Sequence, residues 1–214
     1  MMKIAALSIA LSLSFATQSL ASTIQASFWD VDAPFFDLQD AVDFAGNNNA
    51  DATFNSQEID YPHFSGLAIA SFLTLADFVG PLEAPSIIGD GTPTLDNSIF
   101  RFSGILNLAP GTYNFDVTTD DGFILRLGNT LVSQQDPGTG LTTTTVSESV
   151  TGPTAFELYY VENRGRAGIT FSVDGTPVDE SVVIAPVPLP ASMPLALAGL
   201  GIFGVGALRR RAKR

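Results

Sequence analysis

The 214-residue sequence contains no cysteine and one histidine, His63. The missing thiols exclude a disulfide scaffold, a thiolate nucleophile, a Cys-ligated zinc site and covalent c-type haem attachment. A lone histidine excludes poly-His metal sites. Charge is also sparse: only 15% of residues are Asp, Glu, Lys or Arg, with ten basic against 22 acidic. Nucleic-acid binding needs clustered Lys and Arg against phosphates, so this balance argues against such a partner. No Gly-rich phosphate loop and no G-x-S-x-G nucleophile elbow is present. Glycoside hydrolysis needs two facing carboxylates, and no spacing singles out such a pair among 22 acids. The expectation is therefore a protein that is not an enzyme. In its place, 45% of the chain is hydrophobic and 10% aromatic, which supports a folded core.

Both ends read as addresses. Residues 1–21 have the form of a secretory signal peptide: Lys3, an apolar run from Ile4 to Phe15, and a small-x-small cleavage site ending at Ala21. At the other end, Val187-Pro188-Leu189-Pro190-Ala191 precedes an apolar stretch from Leu195 to Leu208. Arg209, Arg210, Arg211, Lys213 and Arg214 then close the chain. The apolar stretch is 14 residues, or 18 counted from Ala191, against roughly 20 for a comfortable bilayer crossing. With no polar face, it reads as a short membrane helix whose basic end stays cytoplasmic. Six of the ten basic residues lie in these two ends and every acidic residue lies between them. Four basic and 22 acidic residues leave the middle at −18, a surface that repels anionic polymers and membranes.

The middle is β-rich. Gly, Pro, Asn and Asp punctuate it at short intervals, as in a sandwich or barrel. Tyr113, Phe115 and Val117 alternate with Asn114, Asp116 and Thr118, so one face is buried and one wet. The pattern recurs at Phe123-Leu125-Leu127, at Phe156-Leu158-Tyr160 and at Ile169-Phe171-Val173. Pro110-Gly111, Gly128-Asn129 and Asp174-Gly175 are turn dipeptides. One helix is expected from a cap at Asp37 through Leu38, Ala41, Val42 and Ala45, stopped by Gly46. A second, shorter one is expected over residues 71–79. The polar stretch 46–61 reads as loop with a strand near Ala52–Phe54. Domains are expected at residues 1–21, 22–180, 181–190 (Pro-rich linker and motif) and 191–214.

Two resemblances follow. The short Pro-rich motif, weak span and basic end resemble the PEP-CTERM sorting signal in its VPLPA form, with Leu189 where the name-giving motif has Glu. That resemblance implies an exosortase-type sorting protease as partner, cutting near residues 187–191. It also implies export through the inner membrane to the surface or matrix of an exopolysaccharide-making Gram-negative bacterium. The runs 99–104, 109–117, 119–128, 155–163 and 167–173 resemble the domain first named for anthrax protective antigen, the PA14 domain. This implies an antiparallel β-sandwich of lectin-like shape and an extracellular polysaccharide as partner.

Asp120-Asp121 is the candidate binding site. In lectin members of the resembling family two adjacent Asp residues, joined by a cis peptide, bind one Ca²⁺ that also holds sugar hydroxyls. By that resemblance calcium is the implied cofactor, Asp120 and Asp121 are metal and carbohydrate ligands, and Asn163 is a third metal ligand. On the residues alone, Asp-Asp-Gly is equally an ordinary turn between strands. Other residues carry two readings each. Trp29 is a core residue of the first strand or a sugar-stacking ring. His63 is a loop residue or a base. Arg164 and Arg166 pair with nearby carboxylates or touch an anionic polysaccharide.

Overall fold

The computed structural model describes residues 24–62 and 68–183. The expected signal peptide with Ala21, His63, the motif Val187 to Ala191 and the basic end from Arg209 to Arg214 lie outside the described residues. In chain order the elements are β1 (Ile24–Asp30), α1 (Leu38–Asn47), β2 (Ala52–Ser56), β3 (Asp60–Tyr61), β4 (Ala68–Ile69), α2 (Leu75–Glu83) and β5 (Ile88–Gly89). Then follow β6 (Ser98–Leu106), β7 (Gly111–Asp120), β8 (Gly122–Leu127), β9 (Thr130–Gln135), β10 (Thr142–Val150), β11 (Thr154–Glu162), β12 (Arg166–Val173) and β13 (Thr176–Pro177).

Two antiparallel sheets face each other. One has the order β5-β2-β1-β6-β11-β8-β9 and the other β10-β7-β12-β13, with β3 and β4 also pairing β12. This is the mainly β, antiparallel sandwich expected from the alternating runs. Between the sheets lies an aromatic core that includes Phe28, Phe54, Phe100, Phe102, Phe115, Phe123, Phe156, Tyr160 and Phe171. α2 joins the same core, with Phe78 stacked on Tyr61 at 5.3 Å between ring centroids.

A second apolar cluster forms on the opposite face of the large sheet. Residues one step out of phase with the main core, namely Trp29, Ile99, Ile124, Tyr159 and Val161, pack under Leu38, Ala41 and Ala45 of α1. Successive strand residues point to opposite faces, so α1 converts the outer face of β1, β6, β8 and β11 into a second buried layer. Trp29 is thereby a core residue, 4% exposed, and its indole N–H donates to the Asn48 carbonyl at 3.1 Å.

The helices differ from the sequence reading at their ends. Asp37 caps α1 as expected, accepting from the Gln39 N–H. Gly46 does not stop it: the helix runs to Asn47, where Asn47 and Asn48 side-chain amides take up the last carbonyls, those of Asp43 and Phe44. The second helix starts at Leu75, not 71, because Thr74 and Asp77 form a reciprocal capping box. Residues 70–72 instead make a single 3₁₀ turn. Gly80, at φ 78°, kinks α2, and Pro81 begins its last turn. Past β13 the chain stays docked: Asn107 N–H donates to the Val182 carbonyl at 2.7 Å and Val183 is buried.

Candidate carbohydrate-binding site

Three connections cross between the sheets at one end of the sandwich: β7 to β8, β9 to β10, and β11 to β12. Asp120 ends β7 and Gly122 opens β8, so Asp121 sits at the first crossing. The Asp120–Asp121 peptide bond is cis. Gly122 is required next: a Cβ there would stand 2.7 Å from the Pro137 nitrogen and 2.8 Å from the Gln135 carbonyl oxygen. Relieving such a contact would require the Gly122 backbone or the 135–137 segment to shift.

As residues both are largely enclosed, Asp120 at 8% and Asp121 at 5% exposure. Neither forms a salt bridge among the described residues. Burial pushes both side chains above the usual carboxylate range. For Asp120 the neighbouring Asp121 charge pushes the same way, while the Leu141 N–H and the Arg166 charge oppose it. For Asp121 the opposition comes from the backbone N–H groups of Asn163, Arg164 and Gly138. Those of Asn163 and Arg164 reach Oδ2 at 2.9 and 3.4 Å. The 136–141 connection is held from the other side: the Gln135 amide donates to the Asp121 carbonyl at 3.0 Å and to the Thr139 hydroxyl at 2.6 Å.

Behind this pair lies a residue that sequence reasoning missed, Glu162. It is fully buried at the end of β11, and burial pushes its carboxyl up to about 9, with Asp121, Asp120 and Asp96 adding to the shift. Hydrogen-bond stoichiometry agrees. The Tyr160 hydroxyl lies 2.6 Å from the Asp120 carbonyl, 2.7 Å from Glu162 Oε2 and 3.0 Å from the Gly168 N–H. A phenol has one proton to give, and the Asp120 carbonyl can only accept. The Gly168 N–H donates to the phenol oxygen, so the proton in the Glu162 contact belongs to the carboxyl. Glu162 Oε1 is buried with no partner. The signal was present in the sequence, since Glu162 continues the inward parity of Phe156, Leu158 and Tyr160.

Asn163 is brought beside Asp121, but through its backbone. Its side chain clasps the loop before α1: Oδ1 accepts from the Phe35 N–H at 2.9 Å and Nδ2 donates to the Phe35 carbonyl at 2.7 Å. Arg164 and Arg166 form no salt bridge among the described residues, contrary to the pairing expected of them. Arg164 contributes its backbone N–H, and Arg166 acts on Asp120 only as a nearby charge.

The donor set suits a hard cation. Two adjacent carboxylates form no salt bridge among the described residues, and a third carboxyl behind them has an oxygen without a donor. Buried carboxylates call for a counter-charge, and hard cations such as calcium take oxygen ligands. Among the described residues no group of three or more His, Cys, Asp and Glu side chains is placed to hold one ion. Further ligands would therefore have to be carbonyl or amide oxygens, or a bound molecule.

Residues 186–211 match the PEP-CTERM protein-sorting motif. No curated protein sequence matches the chain. Among solved structures, the PA14 sugar-binding domain from an RTX adhesin is 21% identical, with a TM-score of 0.66 over 78% of this chain and 100% of that one. The PA14 domain of the MpAFP antifreeze protein is also 21% identical, with a TM-score of 0.69 over 84% and 99% of the two chains. The Epithelial Adhesin 6 A domain from Candida glabrata, in complex with Galb1-3GlcNAc, is 10% identical, with a TM-score of 0.57 over 81% and 91%. At these identities the fold is what is shared: the sandwich has the PA14 form.

Proposed function

We propose that this chain is an exported surface protein that binds carbohydrate with calcium at Asp120 and Asp121, and that an exosortase-type protease sorts it through its C-terminal motif. The observation that carries the binding reading is the pair of adjacent Asp side chains in largely enclosed residues, with no salt bridge among the described residues. Asp120 and Asp121 would hold the ion, joined by Asn163, whose backbone already bonds Asp121, once its amide leaves Phe35. Calcium, when bound, accepts sugar hydroxyl oxygens as ligands. The remaining work falls to the chain. Tyr160 fixes the Asp120 carbonyl, Gln135 fixes that of Asp121, and the 136–141 and 163–165 connections wall the site. Support for the sorting half comes from the match over residues 186–211. The surface would be that of a Gram-negative cell or its exopolysaccharide matrix.

A second reading, a structural matrix protein with no specific ligand, draws on one fact: Asp121 already accepts from three backbone N–H groups. Glycan-array binding with and without a chelator separates the two. The carbohydrate reading predicts defined glycan signals that chelator removes and that Asp120→Asn loses. Chelator-insensitive signals, or none, favour the structural reading.

A further inference from the structure

A cavity of about 530 Å³ opens on the outer face of the large sheet, over β8 and β9 and beside the first turn of α1. Its size lies in the range of small-molecule sites. Phe36 stands on its rim, 85% exposed, and Leu131 is 46% exposed. Around them sit Arg126, Gln134, Asp136 and Gln39. The Arg126 and Gln134 side chains have no hydrogen-bond or ion-pair partner among the described residues. Gln39 by contrast already donates its amide to Asp43 at 2.7 Å.

The cavity is joined to the carboxylate pair through both of its walls. Phe36 follows Phe35, whose backbone is clasped by the Asn163 side chain. Asp136 follows Gln135, whose amide donates to the Asp121 carbonyl. Each wall is thus one residue from a group bonded within the Asp120–Asp121 centre.

We propose that this cleft is a second saccharide subsite, taking neutral sugar units of a chain whose neighbouring unit is held at Asp120 and Asp121. It rests on the carbohydrate reading of that pair. An exposed aromatic face and Leu131 suit the C–H faces of sugar rings. Arg126 offers donors, Asp136 acceptors and Gln134 both, which is the mixture that vicinal hydroxyls require. Charge selects the class. Asp37 and Asp136 outnumber Arg126 in the lining, and the body between the two removable ends carries −18. Uronate, sulfated or phosphorylated units are therefore disfavoured.

The test is calorimetric titration of the calcium-loaded full chain with glucose, galactose and mannose, with the linear tetrasaccharide of each, and with tetragalacturonate. At least one neutral tetrasaccharide is expected to bind about 10-fold more tightly than its monosaccharide. Phe36→Ala and Gln134→Ala should each remove most of that gain, whereas Leu82→Ala, an exposed apolar residue elsewhere, should retain it. The subsite is overturned if chain length brings no gain, if both cleft variants keep the gain, or if tetragalacturonate binds more tightly than the neutral chains. A wild-type protein that binds no sugar at all overturns the Asp120–Asp121 reading and the cleft with it. Monosaccharide binding without a chain-length gain overturns the cleft alone.

Discussion

Glu162 and Asn163 show how single residues shape the site. A buried, neutral carboxyl sits behind two carboxylates that would hold an ion, and its proton closes the hydrogen-bond account of Tyr160. Its raised value has a definite consequence for stability. Between the ordinary Glu range and about 9 the folded chain retains a proton that the unfolded chain releases. Stability from this group is therefore present at low pH and lost as pH rises through that window. In chelator, Glu162→Gln should flatten the fall in denaturant midpoint between pH 5 and 9 relative to wild type. An unchanged slope would show that Glu162 is not the proton holder. Asn163→Ala removes both bonds to Phe35 and should cost about 1–3 kcal/mol, with faster amide exchange at residues 31–37. Unchanged exchange there would contradict the clasp. Asp120-Asp121-Gly122 stood out in the sequence through its resemblance to the lectin pair, since on the residues alone it reads equally as a turn. Tyr160, Gln135 and Phe35 did not, because each acts on a partner at least fourteen positions away in the chain.

At the scale of elements, the strands with alternating apolar residues were readable and those without were not. β7 alternates as its sequence does. β8 and β11 bury residues on both faces because α1 covers the outer one, and no local pattern announces a helix lying across a sheet. β10, with four threonines in succession, carries little apolar alternation and pairs β7 along its whole length, held by tertiary pairing of β-branched residues. α1 is secured at its start by Asp37, so Asp37→Ala should cost about 1 kcal/mol in chemical denaturation; a neutral outcome would mean that packing on Trp29 and Ile124 alone fixes the helix. Gly122 is the hinge on which β7 passes to β8. Gly122→Ala drives a Cβ into the backbone at Pro137 and Gln135. The variant should lose calcium binding even where circular dichroism still reports a β fold, and wild-type binding would refute the close approach.

The whole molecule separates charge by destination. Its basic residues are concentrated at two ends with the form of export signals, and the folded body is left strongly acidic with four arginines. Mass spectrometry of cell-surface protein should find a C-terminus at or near residues 187–191 and no peptide containing Arg209 to Arg214; an intact Arg214 would contradict processing. Ligand binding by the whole molecule turns on the carboxylate pair at the sheet crossing. Calorimetric titration of chelator-stripped protein with Ca²⁺ tests it most directly. One saturable site per chain is predicted, weakening as pH falls into the raised range of Asp120 and Asp121 and absent in the Asp120→Asn, Asp121→Asn double variant. No saturable heat in the wild type, or equal binding by the double variant, would contradict it.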